Sequence, residues 1–349
     1  MRSFRSYILS VMKGERRVGV DRFAGGMLCF FSWFYAIGIK IVDWAYRSGL
    51  RKAHRVSVPV VSVGNITLGG TGKTPFSMFA AEYFKGQGRK PAILMRGYGG
   101  DENRMITDEL PDVPVFTGQD RVRGARRAVS CGRDILILDD GFQHRRIARD
   151  LDILMIDGVS FSGKRRIFPH GVFREPLSSA GRSDIIVLTK AEKAPEGRGD
   201  DIVKRLRKEF PDKPVAVMVY RPSFLTDAAG AMRPVDSLRG KKVSLVSGIA
   251  DPDHFAFLAE RSGAVIVARR DYDDHHRYSQ SDICDILRES GEKQAENILV
   301  TGKDMVKMKD LDISGIEARL LVLNITVDII EGKESLIAGF NSVISGQGR

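Results

Sequence analysis

Cysteine is scarce in this chain of 349 residues: Cys29, Cys131 and Cys284 lie far apart, and no two of them form a Cys-x-x-Cys pair. This spacing argues against a zinc site built on thiolates and against a disulfide framework, and it is typical of a reducing compartment. The sequence also has no visible internal repeat or low-complexity tract. Hydrophobic residues make up 43% of the chain and charged residues 28%, which excludes a wholly disordered protein.

Acidic residues are outnumbered, since 44 Asp and Glu face 55 Lys and Arg and leave a formal net charge of +11. An excess of this size indicates an anionic partner, whether nucleic acid, phospholipid head groups or a phosphorylated substrate. Because the sequence has no recognisable helix-turn-helix, ribonucleoprotein or zinc motif, we expect no nucleic-acid partner.

Residues 1–55 concentrate aromatic residues and positive charge. Seventeen uncharged residues run from Phe23 to Ile39. As a helix at about 1.5 Å per residue they reach roughly 26 Å, which is short of or barely matches the thickness of a membrane's hydrocarbon core. Basic residues flank the run on both sides: Arg2, Arg5, Lys13, Arg16, Arg17 and Arg22 before it, and Lys40, Arg47, Arg51, Lys52 and Arg55 after it. Two basic flanks favour a helix that lies on an anionic membrane surface over one that spans it. The alternative is a buried core helix.

A glycine-rich stretch joins a predicted strand at 58–63 to a predicted helix that begins at Thr74. It reads Thr67-Leu68-Gly69-Gly70-Thr71-Gly72-Lys73-Thr74, the phosphate-loop motif G-x-x-x-x-G-K-[ST] with Thr67 in place of the first glycine. The glycines allow a tight turn that aims backbone N–H groups at phosphate oxygens, and the helix N-terminus adds its positive dipole end. We expect Lys73 to reach the β- and γ-phosphates of a nucleotide and the Thr74 hydroxyl to hold Mg²⁺.

Two aspartates, Asp139 and Asp140, end a second predicted strand that spans 134–140. In P-loop proteins a carboxylate at such a strand end holds Mg²⁺ directly or through water. One of the two is expected to hold the ion and the other to orient or neutralise, and the sequence does not say which. The cationic segment 141–146, which includes His144, is expected to face the nucleotide or its acceptor.

Alternating strand and helix patterns predict an α/β fold with a doubly wound, P-loop NTPase-like parallel sheet and a second, smaller α/β domain. Further strands are predicted at 91–95, 113–116, 151–156 and 184–188, with a helix at 120–130. After a predicted loop at 194–199 the pattern begins again, with strands at 215–220, 242–247, 264–268, 298–300 and 320–323 and a helix at 252–262. We therefore expect a membrane-associated helical segment in 1–55, a P-loop core in 56–195 and a smaller domain in 196–349.

Several motifs in this order closely resemble the tetraacyldisaccharide 4′-kinase family. They are Val63-Gly64-Asn65 and Pro75 around the phosphate loop, Arg96-Gly97-Tyr98-Gly99, Asp139-Asp140-Gly141-Phe142-Gln143-His144, Phe168-Pro169-His170-Gly171, Arg174-Glu175-Pro176-Leu177, Ser247-Gly248-Ile249-Ala250-Asp251-Pro252, Asp274-His275-His276 and Thr301-Gly302-Lys303-Asp304. The resemblance covers most of the chain. It implies a kinase core that transfers the γ-phosphoryl of ATP, with Mg²⁺, to the 4′-hydroxyl of a tetraacyl glucosamine disaccharide 1-phosphate. The product is lipid IVA in the lipid A biosynthesis of Gram-negative bacteria.

The resemblance also implies the residues that act on the acceptor. Asp101 in Gly100-Asp101-Glu102 matches the family's base, and His275 matches its histidine partner, contributed by the C-terminal domain from the far side of the active site. A carboxylate with a histidine can accept a hydroxyl proton while it positions the acceptor. Two departures, Asn103 where proline is usual and no insertion before Gly100, leave Asp108 as an alternative to Asp101. His276 is the alternative to His275.

Arg121 and Arg174 lie inside the strings that resemble the family and, with His144, are the expected substrate contacts. The planar fork of arginine can bind two phosphate oxygens at once. A lipid substrate places the protein on the cytoplasmic face of the bacterial inner membrane, and we expect a monomer. The competing hypothesis is a P-loop ATPase or GTPase switch, which needs no acceptor site. No guanine-reading Asn-Lys-x-Asp motif follows the acidic strand; Thr189-Lys190-Ala191-Glu192 resembles it only loosely.

Overall fold

The structure, a computed structural model, describes residues 19–97, 101–162, 165–193 and 198–346. At residues 19–24, 101, 162 and 198 it describes the backbone but not the side chain. The strands are β1 Val60–Asn65, β2 Pro91–Met95, β3 Val115–Thr117, β4 Ile135–Asp139, β5 Leu151–Asp157, β6 Ile185–Thr189, β7 Val215–Asp227, β8 Met232–Pro234, β9 Lys242–Ser247, β10 Val265–Asp271, β11 Asn297–Val300 and β12 Leu320–Glu331.

The α-helices are α1 Gly19–Arg47, α2 Lys73–Gly86, α3 Asp101–Glu109, α4 Arg121–Ser130, α5 Gly158–Ser162, α6 Arg198–Glu209, α7 Pro252–Arg261, α8 Gln280–Glu292, α9 Gly302–Met308 and α10 Lys333–Ile344. Short polar side chains set several of their starts. Asp120 accepts hydrogen bonds from the backbone at the beginning of α4, and Thr301 does so for α9. Ser279 and Asp282 form a reciprocal capping box at the start of α8.

The chain divides into two compact units that do not follow chain order. The first unit comprises Met1–Arg96, Phe116–Val219 and Ile329–Arg349, and the second comprises Gly97–Val115 and Tyr220–Asp328. Helix α3 therefore belongs to the second unit although it lies between strands of the first along the chain.

The first unit is built on a sheet with strand order β7-β6-β5-β1-β4-β2-β3. The pairs β6/β7, β5/β6, β1/β5, β1/β4 and β2/β4 are parallel. Strands β1, β2, β4, β5 and β6 are buried along their whole length, as expected of a parallel sheet that is covered on both faces. Strand β1 lies between β4 and β5, and the residues that follow it are placed at the carboxyl ends of the central strands, where doubly wound sheets bind ligands.

The second unit has its own parallel strands in the order β10-β9-β11-β12, together with an antiparallel pair of β7 and β8. A core that includes Val246, Ile283, Ile298 and Val322 packs helix α8 against these strands. Helix α3 packs against α9 within this unit. The predicted α/β class with a doubly wound parallel sheet is confirmed.

Several predicted boundaries were wrong for identifiable reasons. Strand β1 begins at Val60 rather than at residue 58, because Pro59 has no N–H to donate to the ladder. Strands β7 and β12 continue well beyond residues 220 and 323. Their second halves mix apolar and polar residues and are only partly buried, so no continuous apolar run marks them in the sequence. The predicted loop at 194–199 lies outside the described residues at 194–197, and helix α6 begins at Arg198.

Helix α1 is the one helix among the described residues that is long and apolar enough to cross a membrane, from Gly25 to Arg47, and its most apolar stretch is not buried. The side chains of Phe30, Trp33, Phe34 and Trp44 are each more than half exposed. The opposite side of the helix is tied to the first unit, because Ser32 Oγ donates to the Ile167 carbonyl at 2.8 Å. This exposure does not fit the alternative of a buried core helix. The basic residues predicted to flank the run between Arg2 and Arg17 lie outside the described residues.

Candidate active site

The phosphate loop, residues 67–74, follows strand β1 and leads into helix α2. Gly69 and Gly72 have backbone φ angles of 109° and 81°, a left-handed conformation that side-chain-bearing residues rarely adopt. Gly72 is the residue before α2, so the helix starts from this turn at Lys73. The loop therefore presents backbone N–H groups and a helix N-terminus together, which is the arrangement that binds phosphate.

Thr67 stands where the motif has its first glycine, and its surroundings explain why glycine is not needed. The residue is 2% exposed and pairs with Phe173 in an isolated β-bridge. Leu68 N donates to the Val172 carbonyl at 2.7 Å. Thr67 is thus held by pairing with Phe173, and the left-handed backbone of the loop begins only at Gly69, so a side chain is tolerated at residue 67.

Asp139 connects the acidic strand to the phosphate loop. Thr74 Oγ1 donates to Asp139 Oδ2 at 2.9 Å, and Ser77 Oγ donates to Asp139 Oδ1 at 3.2 Å. The aspartate is 3% exposed, and hydroxyl groups of α2 donate to both of its carboxylate oxygens. Of the three side chains predicted to bear on Mg²⁺, those of Thr74, Asp139 and Asp140, the first two are therefore in direct contact.

Asp140 has a different environment, dominated by cations. Its carboxylate lies 3.6 Å from Lys73 Nζ and 3.2 Å from the Arg174 guanidinium, and its backbone carbonyl accepts a hydrogen bond from Arg121 at 2.9 Å. Burial by itself would raise the pKa of Asp140, but Lys73 and Arg174 outweigh it and hold the pKa below its usual value. Asp140 is therefore ionised at neutral pH, and Lys73, Arg121 and Arg174 all converge on it.

Gln143, Glu175 and Arg182 hold the segment that follows Asp140 in place. Gln143 Nε2 donates to the Asn65 carbonyl at 2.7 Å and to Glu175 Oε1 at 3.1 Å. Arg182 forms a bidentate pair with Glu175, at 2.6 and 2.8 Å, and its guanidinium lies 3.8 Å from the centre of the Phe142 ring. Gln143 and Glu175 occur in the motifs quoted above, whereas nothing in the sequence pointed to Arg182.

His144 lies in the same segment among arginines. Burial lowers its pKa to about 4, and the nearby charges of Arg121, Arg149 and Arg146 lower it further than Asp120 can offset. Its Nε2 atom is buried and has no hydrogen-bond partner among the described residues. His144 is therefore neutral at physiological pH.

The depressed pKa of His144 predicts a component of acid lability. Between pH 6.5 and about 4 the unfolded chain binds a proton at this residue that the folded chain does not, so the free energy of unfolding falls as the pH falls through this window. The variant His144→Gln is expected to lose less stability between pH 7 and pH 5 than the parent, as measured by urea denaturation. The exposed His54→Gln serves as the matched control, and an unchanged pH dependence in His144→Gln would contradict the prediction.

In the second unit, His275 and His276 have separate surroundings. His276 stacks on Tyr272 with ring centroids 4.3 Å apart, and its Nε2 lies 3.2 Å from Asp282. His275 has a left-handed backbone with φ 62°, its side chain is 40% exposed, and its Nε2 lies 3.7 Å from Asp274. His276 thus packs within the unit, whereas the ring of His275 is accessible.

The start of α3 and the loop of His275 are brought together by one lysine. Lys303 Nζ lies 3.3 Å from Glu102 Oε1 and 3.4 Å from Asp274 Oδ1. The bridge therefore joins Glu102, the residue after Asp101 in the chain, to Asp274, the residue before His275. The side chain of Asp101 lies outside the described residues. Asp108, the alternative, lies on the same helix as Asp101. It is half exposed and pairs with Lys309 at 2.8 Å.

The first unit thus joins a phosphate loop after the central strand β1 to a carboxylate at the end of β4, which defines a P-loop nucleotide-binding protein. Comparison with known sequences identifies the family within this class. The family model for tetraacyldisaccharide-1-P 4′-kinase matches residues 25–101 and 99–344, and the chain belongs to this family.

Individual relatives agree with the family match. The tetraacyldisaccharide 4′-kinase of Anaeromyxobacter dehalogenans is 34% identical, with 84% of each chain covered. That of Syntrophus aciditrophicus is also 34% identical, over 89% of this chain and 91% of its own. Among solved structures, LpxK from Aquifex aeolicus, crystallised in complex with ATP, superposes with a TM-score of 0.73 at 30% identity and covers 92% of this chain and 99% of its own.

Proposed function

We propose that this protein is an ATP-dependent kinase that phosphorylates the 4′-hydroxyl of a tetraacyl glucosamine disaccharide 1-phosphate to form lipid IVA. The observation that carries the proposal is the family match over most of the chain, together with a phosphate loop joined to a buried aspartate. The second unit adds an accessible histidine whose neighbour Asp274 is linked through Lys303 to Glu102 at the acidic start of α3, which a nucleotide switch does not need.

The first unit supplies the groups for MgATP. Residues 67–74 surround the β- and γ-phosphates with backbone N–H groups, and Lys73 adds a positive charge. No cluster of three or more His, Cys, Asp or Glu side chains able to hold a metal occurs among the described residues. Mg²⁺ usually takes one or two carboxylates and completes its shell with water and phosphate oxygens. Thr74 and Asp139 would hold the ion, with Asp140 close by, and the ion would neutralise charge on the phosphates.

The second unit supplies the groups for the acceptor. Asp101 takes the proton of the 4′-hydroxyl as the oxygen forms its bond to the γ-phosphorus, and the bond to the β-phosphate oxygen breaks to release ADP. His275 is the accessible histidine of the pair and acts as the partner of Asp101. The contacts of His276 with Tyr272 and Asp282 favour a structural role for that residue.

Arg121, His144 and Arg174 are proposed to contact the substrates. Arg174 is partly exposed and lies 3.2 Å from Asp140, so its guanidinium is preorganised for phosphate there. Arg121 is only 5% exposed and donates to the Asp140 carbonyl. His144 is neutral, and a neutral imidazole can donate a hydrogen bond from one ring nitrogen and accept one at the other.

The exposed aromatic face of α1 is proposed to bind the inner membrane from the cytoplasmic side, where ATP is available, with the protein acting as a monomer. Each large apolar side chain that leaves water contributes about 1.5–3 kcal/mol. The triple variant Phe30→Ser, Trp33→Ser, Phe34→Ser is therefore expected to lose more than about tenfold in co-sedimentation with vesicles of phosphatidylethanolamine and phosphatidylglycerol. Ile330→Ser, which changes a side chain that is 53% exposed elsewhere, is the control. Equal co-sedimentation of all three proteins would refute membrane binding through this face.

The kinase reaction is tested with purified protein, Mg²⁺, ATP and the disaccharide 1-phosphate in detergent micelles. We expect ADP release to depend on the lipid and to match, mole for mole, the gain of one phosphate on the lipid by mass spectrometry. ATP hydrolysis at the same rate with and without the lipid would instead indicate a nucleotide switch.

A further inference from the structure

Lys190 is a buried lysine whose side chain contacts a backbone carbonyl of the phosphate loop. It follows strand β6, is 3% exposed and has a left-handed backbone with φ 56°. Its Nζ donates to the Gly70 carbonyl at 2.6 Å and lies 3.0 Å from Asp157 Oδ2. All of these residues belong to the first unit.

The environment of Lys190 fixes its ammonium group. Asp157 ends strand β5, its side chain is 8% exposed, and its other oxygen accepts a hydrogen bond from Ser160 N at 2.9 Å. A buried cation is costly unless it is paired and hydrogen-bonded, and here both a carboxylate and a carbonyl satisfy it. The aspartate neutralises the lysine, and the lysine in turn holds the loop.

Two successive carbonyls of the phosphate loop are held in this way. Thr189 Oγ1 lies 3.2 Å from the Thr71 carbonyl, next to the Gly70 carbonyl that Lys190 binds. In a phosphate loop the N–H groups converge on the ligand, so the carbonyls must point outward and find partners there. The end of β6 provides those partners.

A close backbone approach makes this contact possible. A Cβ atom at Gly158 would lie 3.2 Å from the Thr189 carbonyl oxygen and 3.4 Å from that of Lys190. Glycine at position 158, directly after β5, therefore lets the backbone of Thr189 and Lys190 pass close to the end of β5.

We propose that Lys190 is a positioning residue for nucleotide binding: it fixes the phosphate loop in the shape that binds the nucleotide phosphates. The inference rests on the proposed use of the loop for ATP. The inference also gives a role to the segment Thr189-Lys190-Ala191-Glu192, which resembles a guanine-reading motif only loosely. In this role the segment contacts the phosphate loop and not a nucleotide base.

The double variant Lys190→Met, Asp157→Asn tests the proposal because it removes the loop contact without leaving an unpaired buried carboxylate. A lost charge-assisted hydrogen bond predicts a rise of about tenfold to a hundredfold in the Kd of ATP and ADP by calorimetry. The affinity for adenosine and the KM for the lipid stay unchanged. Lys190→Arg, which keeps the charge but not the shape, is expected to weaken ATP binding in the same direction and to remain folded.

The matched control is Lys241→Met, an exposed lysine of the second unit paired with Glu296, which leaves ATP affinity unchanged. ATP affinity within twofold of the parent in folded Lys190→Arg or in the folded double variant would overturn the proposal. So would an equal loss of affinity for adenosine, since that indicates general damage. A parent protein that binds ATP but does not phosphorylate the lipid would overturn the proposed function instead, because the Lys190 test needs only nucleotide binding.

Discussion

Lys73→Met is expected to lower the rate of lipid phosphorylation by about a thousandfold or more, the scale for loss of a preorganised charge at a reacting group. Lys73 is the first residue of α2, and its Nζ lies 3.6 Å from Asp140. Methionine keeps the length of the side chain but removes the cation that stabilises charge on the transferred phosphoryl group. The measurement is transfer of labelled γ-phosphate to the lipid at saturating ATP.

Lys85→Met is the matched control for this experiment. It makes the same substitution in the last turn of the same helix, on an exposed residue. Its rate should stay within twofold of the parent. If Lys73→Met also keeps its rate within tenfold, the role assigned to the phosphate loop is incorrect.

Asp101→Asn is expected to lower kcat by about a hundredfold to ten-thousandfold, the contribution typical of a general base, while the Kd of ATP stays unchanged. Asparagine preserves the shape of the side chain but cannot accept the hydroxyl proton. Unchanged ATP affinity distinguishes this loss from that of Lys190 variants, which act on nucleotide binding.

Asp108→Asn provides the matched comparison, because Asp108 lies on the same helix seven residues later, about two turns away. It pairs with Lys309, so its loss should cost little activity. The opposite result, a large loss in Asp108→Asn and little in Asp101→Asn, would transfer the role of base to Asp108.

The phosphate loop is the part of the site that local sequence indicates most directly, because residues 67–74 are contiguous along the chain. Residues 67–74 carry a spacing that only a tight turn before a helix satisfies, and Asp139 ends an apolar strand, so both could be placed at the carboxyl edge of a parallel sheet. Even Thr67, the departure from the motif, is explained by extended pairing with Phe173.

Other parts of the molecule could not be predicted from local pattern. The link from Lys303 to Glu102 joins residues that are 201 positions apart, and helix α3 has few apolar residues to indicate that it packs on α9. The contact of Lys190 with Gly70 spans 120 positions and depends on burial, which a single lysine in the sequence does not reveal. Long-range polar contacts of this kind leave no periodic signal.

The most direct test of the account is the position of the new phosphate on the product. The lipid formed from ATP and the disaccharide 1-phosphate is purified and examined by phosphorus–proton correlation NMR. We expect a phosphomonoester coupled to the proton at carbon 4′, with the original 1-phosphate unchanged. A phosphate at another hydroxyl, or a diphosphate at position 1, would contradict the proposed acceptor and with it the role of Asp101 and His275 at the 4′-hydroxyl.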